Sequence, residues 1–259
     1  MRILIAGKYT HTGKRPIGGL QSWIKTVAAE CERLGHEVTT WEPGQRLVGF
    51  HDFGVFANLK HTRPALNFVR QSVLVSHGII ADEQPQPGCD VTAFVSEGVR
   101  DHWGGSGPII RQPIDLDFWR TGGERTHLTR YSYRTAPIQV ATGWPYRHVH
   151  GLTHEQAREA LQTSVCVYAT GRAALEAMAC GAPTVIYDHR AAYQGPLMGP
   201  QSLTANMRNS YSGRGGKQPS QIGVQKRTEW AMQQTGWRNW VAEHHDSRRV
   251  TEGLLCLVS

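Results

Sequence analysis

The first forty residues constrain the fold of this chain more than any other stretch. Ile3, Leu4 and Ile5 form a short apolar run that stops at Gly7, and the polar, glycine-rich KYTHTGKRPIGG follows. Leu20, Trp23, Ile24, Val27, Ala28, Cys31 and Leu34 then recur every three or four residues, which places them on one face of a helix. Gly35 provides a left-handed stop, and HEVTTW returns to strand. Strand, helix and strand in that order make a βαβ unit. The expected fold class is therefore α/β, a parallel sheet with helices on its faces.

A chain of 259 residues, 39% hydrophobic, can bury the core of one large domain or of two small ones. Its formal charge of +7, from 28 Lys+Arg against 21 Asp+Glu, suits a polyanionic partner. The cysteines Cys31, Cys89, Cys166, Cys180 and Cys256 are odd in number and show no CxxC spacing, which favours a reducing compartment over a disulfide framework or structural zinc. No apolar run approaches the roughly 20 residues of a membrane span. MRILIAGKYT is too short in its apolar part for a signal peptide, so a soluble, cytoplasmic protein is expected.

Several residues stand where ligands bind in α/β proteins. Gly18 and Gly19 directly precede the first helix, where backbone N–H groups and the positive dipole end favour an anion. A tight turn that simply needs glycine explains the pair equally well, and the loop matches neither GxGxxG nor the Walker pattern. SVLVSHG and DVTAFVSEGVRDHW each read as a strand that delivers polar groups at its C-terminal end, His77 in one and Ser96 with Glu97 in the other. Glycine and proline punctuate GGSGPIIRQPIDLDFWRTGG, which places a linker at 113–120 between Rossmann-like domains spanning 1–112 and 121–259. Asp115 and Asp117 have DxD spacing. An extended linker with one packed face shows the same alternation, and nothing nearby completes a metal shell.

GRAALEAMACGAPTVIYD repeats the order strand, helix, strand. Tyr168 closes an apolar run, Thr170 is a good N-cap, Gly171 and Arg172 open the helix, and Gly181 ends it. Backbone amides and a guanidinium at a helix mouth suit a diphosphate. Glu176 lies one turn in, and because helical side chains lean toward the N-terminus its carboxylate points back at that mouth, where vicinal hydroxyls can donate to it. An alanine-rich core helix with one exposed acid is the alternative.

GGLQSW, VSHG, FVSEGVRDHW, PIDLDFW and GRAALEAMACGAPTVIYD, in that order, resemble the retaining, nucleotide-sugar-dependent glycosyltransferases of the GT-B type over residues 1–190. PQSLTANMRNSYSGR is similar to a tail of shorter members. The resemblance implies two Rossmann-like domains with parallel sheets facing a cleft, an acceptor-side 1–112 and a donor-binding 121–259 with a trimmed sheet. It also implies that Gly18 and Gly19 approach the donor phosphates, that His77 acts near the transferred sugar, and that Glu176 binds the ribose. Arg134 takes the place of the phosphate-binding basic residue, with Gly171 and Arg172 assisting, and His150 and Gly151 border the nucleobase. UDP-glucose is the implied donor, with no metal strictly required. Where larger members carry a second glutamate, eight residues before Glu176, this chain has Tyr168. The few residues between RYSYR and IQVATGW are too few for a parallel crossover, so one of those two segments should be a loop or part of a hairpin.

The region after residue 200 carries Arg208, Arg214, Lys217, Lys226, Arg227, Arg238, Arg248 and Arg249 among Tyr211, Trp230, Trp237 and Trp240. Basic side chains with aromatic neighbours suit a phosphate backbone and an extruded base; helices whose tryptophans pack as core fit the same spacing. Short length, trimmed C-terminal half and positive charge resemble the compact phage glycosyltransferases that modify hydroxymethylated pyrimidines. The implied acceptor is 5-hydroxymethylcytosine in double-stranded DNA, met through Arg208, Arg214 and Lys217. A lipid or cell-surface glycan acceptor, or a non-catalytic nucleotide-sugar or nucleic-acid binding module, are the alternatives.

Overall fold

A computed structural model describes residues 1–7, 19–57, 59–131, 143–149, 151–187, 200–212 and 220–258. The chain divides into two units, 1–113 with 247–259, and 114–246.

The first unit opens with the βαβ of the sequence reading: β1 (Arg2–Ala6), α1 (Gly19–Arg33) and β2 (Glu37–Trp41), with Gly35 at φ +81° ending the helix. β3 (His51–Phe56), a short α2 (Leu59–Thr62), β4 (Val69–Ser76), β5 (Val91–Phe94) and α3 (Glu97–His102) follow. All five strands pair in parallel, in the order β2-β1-β3-β4-β5. Side chains alternate across a strand. Ile3 and Ile5 accordingly meet Trp23, Ile24, Val27 and Cys31 of α1, while Leu4 and Ala6 meet Trp41, Phe56 and Leu74 on the opposite face. Burial on both faces is why β1 reads as an unbroken apolar run.

The second unit contains β6 (His127–Tyr131), β7 (Tyr146–Val149), α4 (His154–Gln162), β8 (Ser164–Ala169), α5 (Arg172–Ala179), β9 (Thr184–Ile186), α6 (Pro200–Arg208), α7 (Gln221–Gln233) and α8 (Trp237–His245). Its four strands are also parallel, in the order β7-β6-β8-β9, and every residue of central β8 is buried. β7 lies further along the chain than IQVATGW, most of which lies outside the described residues.

The last helix, α9 (Ser247–Leu255), belongs to the first unit, although the sequence reading placed all of 121–259 in one domain. Its apolar stripe supplies the reason. Val250 and Leu254 join the core formed by Ile3, Val27 and Cys31, and Ser247 Oγ donates to Glu30 Oε2 at 3.1 Å. The tryptophans near the C-terminus pack inward: Trp237 is in the core of the second unit, Trp230 meets it edge to face, and Trp240 Nε1 donates to the Tyr211 hydroxyl at 2.7 Å. No described helix is long and apolar enough to cross a membrane.

Candidate functional site

Ligands of open α/β sheets bind outside the C-terminal ends of the strands. In the second unit, that end of β8 carries Thr170 to Glu176. The N-cap of α5 is Gly171 rather than Thr170, with φ +59° and ψ −136°, a backbone that glycine adopts without a Cβ penalty. The Gly171 N–H donates to the Tyr211 carbonyl at 2.7 Å, which commits one of the amides that would face an anion at this mouth. Ser210 and Tyr211, at φ +52° and +55°, deliver that carbonyl from a conformation costly for residues with side chains. The buried Tyr211 ring holds the segment down, its hydroxyl lying 3.1 Å from His245 Nε2.

One turn into α5, the Glu176 carboxylate points back toward the mouth, as the direction of helical side chains requires. Oε1 accepts from Arg172 Nε at 3.0 Å and Oε2 accepts from the Tyr131 hydroxyl at 2.7 Å. Arg172 is 9% exposed and Glu176 4%. The acid therefore lies inside the fold, unlike the exposed acid of an ordinary core helix. Tyr131 is the last residue of β6 and stands in register with Ala169 of β8, which brings its ring beside the segment leading into α5. Burial, and then the charge of Glu176, hold the Tyr131 hydroxyl well above its ordinary pKa, so it remains a donor. Burial pushes the Arg172 guanidinium down, and the neighbouring carboxylate opposes that shift. An ionised carboxylate has about four acceptor positions, so two bonds leave capacity for hydroxyl donors.

Tyr168 occupies the position of the missing second acid. It is fully buried, bonded through its hydroxyl to Thr228 Oγ1 at 2.8 Å, and burial raises its pKa well above the ordinary tyrosine value. Facing inward from β8, it is part of the core and contributes no carboxylate. Asp115 Oδ1 accepts from the backbone N–H groups of Asp117 and Phe118, both at 3.0 Å. The DLD segment is thus a capped turn, not an extended stretch. Among the described residues, no group of three or more side chains could hold a metal ion.

In the first unit His77 follows β4 directly, and its ring meets Trp23 of α1 edge to face with centroids 4.8 Å apart. Trp103 Nε1 donates to the neighbouring Gly78 carbonyl at 2.8 Å. Ser96 N-caps α3, and Glu97 forms a bidentate pair with Arg111 at 2.7 and 2.5 Å. Burial opposes ionisation of Glu97, but the Arg111 bonds outweigh it and its pKa is lowered. Gly19 is the exposed first residue of α1, and Gly151, at φ +70°, follows β7 just ahead of the Thr153 cap of α4. Arg208 is exposed at the end of α6. Gly18, Arg134, His150, Arg214 and Lys217 lie outside the described residues.

The sequence did not single out Tyr131, and it placed Tyr211 among the aromatics of the basic C-terminal region, away from this site. Both reach the site through tertiary register, one from a neighbouring strand and one from a segment after α6. Tyr131 closes the mixed strand HLTRY, and its local sequence carries no signal that it meets α5.

No family profile matches this chain by sequence, and no curated protein does either. Solved structures do match. An alpha-glucosyltransferase in complex with UDP and a 13-mer DNA containing an HMU base aligns with a TM-score of 0.60 at 10% identity, covering 99% of this chain and 98% of that one. The alpha-glucosyltransferase in complex with UDP-glucose and DNA containing an abasic site gives 0.57 at 10%, with the same coverage. Sucrose-phosphate synthase from Thermosynechococcus elongatus gives 0.60 at 11%, covering 99% of this chain and 98% of that one. The likeness runs end to end and, with the two parallel sheets, establishes the α/β fold of GT-B glycosyltransferases for this chain.

Proposed function

We propose that this protein is a glycosyltransferase that moves glucose from UDP-glucose to the hydroxyl of a 5-hydroxymethylated pyrimidine, 5-hydroxymethylcytosine in the first instance, in double-stranded DNA. The observation that carries the reading is the buried Glu176 carboxylate, held at the mouth of α5 beyond the C-terminal end of β8 with acceptor capacity remaining. In this reading Glu176 accepts the ribose hydroxyls and Arg172 holds the carboxylate in place. Gly171 lets the backbone turn close to the nucleotide, and Gly151 borders the base together with His150. Gly18, Gly19 and Arg134 meet the diphosphate. Negative charge grows on the departing diphosphate as the glycosidic bond breaks, so positive groups placed there lower the barrier. His77 acts at the sugar, and the 113–120 segment, between an acceptor-side and a donor-binding domain, is the hinge. Support for the acceptor comes from the end-to-end fold likeness to an enzyme captured with UDP and with HMU-containing DNA, and from the net charge of +7. Exposed Arg208, with Arg214 and Lys217, is assigned to the DNA backbone.

The test offers UDP-glucose and duplexes that differ only in 5-hydroxymethylcytosine, 5-hydroxymethyluracil or the unmodified base, and looks for a hexose mass increase on the nucleoside. Binding to the duplex should weaken steeply with salt, since phosphate contacts release condensed counterions. Transfer to a lipid or saccharide with none to DNA would move the acceptor elsewhere. One observation favours a second reading, a module that binds without turnover: the position of the second family acid is filled by a core tyrosine, Tyr168. Tight UDP-glucose binding with no release of UDP under any acceptor would establish it.

A further inference from the structure

We propose that Tyr131 is a positioning residue for nucleoside recognition: its hydroxyl aims the Glu176 carboxylate at the ribose hydroxyls of the nucleotide. The inference rests on the reading of Glu176 as the ribose ligand.

A glutamate has a broad, loosely restrained terminal torsion. The Arg172 bond engages only Oε1, and Arg172 sits on the same helix, so that pair by itself leaves the carboxylate plane free to rotate. Tyr131 closes the second oxygen at 2.7 Å from a different element. Its ring leaves the end of β6, beside Ala169 of β8, so the carboxylate is tied to the frame of the sheet as well as to the helix. A phenol has only two side-chain torsions and loses little freedom in making this bond. Stability alone does not call for the arrangement. A buried guanidinium, carboxylate and phenol are costly to desolvate, and apolar replacements of similar volume are often neutral or stabilising. The rest of α5 is filled with Ala174, Leu175, Ala177, Met178 and Ala179, which shows that the sequence can fill this layer with apolar side chains. A polar triad at the ligand-binding end of the sheet is best understood as a fixed acceptor.

The experiment measures UDP and 2′,3′-dideoxy-UDP binding to the full chain by calorimetry, in the wild type, Tyr131→Phe, Glu176→Gln and the double variant. Wild type should prefer UDP. Tyr131→Phe, which removes one oxygen, should lower UDP affinity about tenfold and leave dideoxy-UDP affinity unchanged. Adding Tyr131→Phe to Glu176→Gln should change the preference no further, because the phenol acts through the carboxylate. In the wild type, the hydroxyl proton resonance of Tyr131 should shift on adding UDP and stay put with dideoxy-UDP, a readout that needs no variant. If Tyr131→Phe lowers Tm while the UDP preference and the resonance response stay as in wild type, Tyr131 is structural only and the donor reading stands. If wild type binds both nucleotides equally, or neither, the donor reading fails and takes this inference with it.

Discussion

Replacing Arg172 by leucine tests whether its guanidinium is committed to Glu176 or available to a ligand. The two side chains are 7% and 5% exposed and meet at 3.0 Å. Removing one member of a buried pair strands the other charge, at a cost of about 3–5 kcal/mol. The surviving bond from Tyr131 to Oε2 places Arg172→Leu at the low end, about 3 kcal/mol. Glu176→Leu takes the carboxylate away from the buried guanidinium and costs about the same or more. The double variant removes both charges of the pair and leaves the Tyr131 hydroxyl without its Glu176 acceptor, a penalty of about 1–3 kcal/mol. The single costs therefore exceed the double by several kcal/mol, a coupling that urea denaturation of the four proteins can read directly from their midpoints. Additivity to within about 0.5 kcal/mol would refute the reasoning. In that case Arg172 is not committed to the acid and its role would lie with the diphosphate.

Stability should fall on the alkaline side. Burial is the largest cause raising the thiols of Cys31, Cys89, Cys166 and Cys180 from 9.0 to about 12. The folded state keeps protons that the unfolded chain has released, so this contribution is whole below pH 9 and is lost as pH rises toward 12, with Tyr131 and Tyr168 adding above pH 10. Urea midpoints that stay level from about pH 8 to about pH 11 would contradict the burial of these groups. Tyr168→Phe should cost only about 1 kcal/mol, because Thr228 keeps its bond to the Val224 carbonyl. Tyr168→Glu, which reinstates the family acid, should instead cost several kcal/mol by placing a carboxylate in the core, and a folded, more active Tyr168→Glu would show that the position faces the ligand. His77→Ala should lower kcat more than donor affinity if the imidazole acts on the reacting sugar, whereas a lower Tm with unchanged kcat would make it a packing residue against Trp23.

The sequence determined the elements and their class. Periodicity is local, so Leu20 to Leu34 specified α1, Gly35 its end, and the double-sided burial of β1 and β8 left unbroken apolar runs that read as buried strands. The lean of helical side chains was also enough to aim Glu176 at the mouth of α5. Partners of that acid were not legible in the same way. Arg172 was visible at the mouth, but whether a guanidinium faces outward or folds back to its own helix depends on burial, and burial is set by what packs on top. Tyr131 reaches Glu176 only because β6 pairs with β8 in one register, and Tyr211 reaches Gly171 only because a strained turn after α6 carries its carbonyl there. Likewise, α9 looked like a continuation of the second half until Val250 and Leu254 found the core of the first. Local spacing encodes which face of an element is apolar. Which other element covers that face, and which polar groups are brought together when it does, is a property of the assembled fold alone.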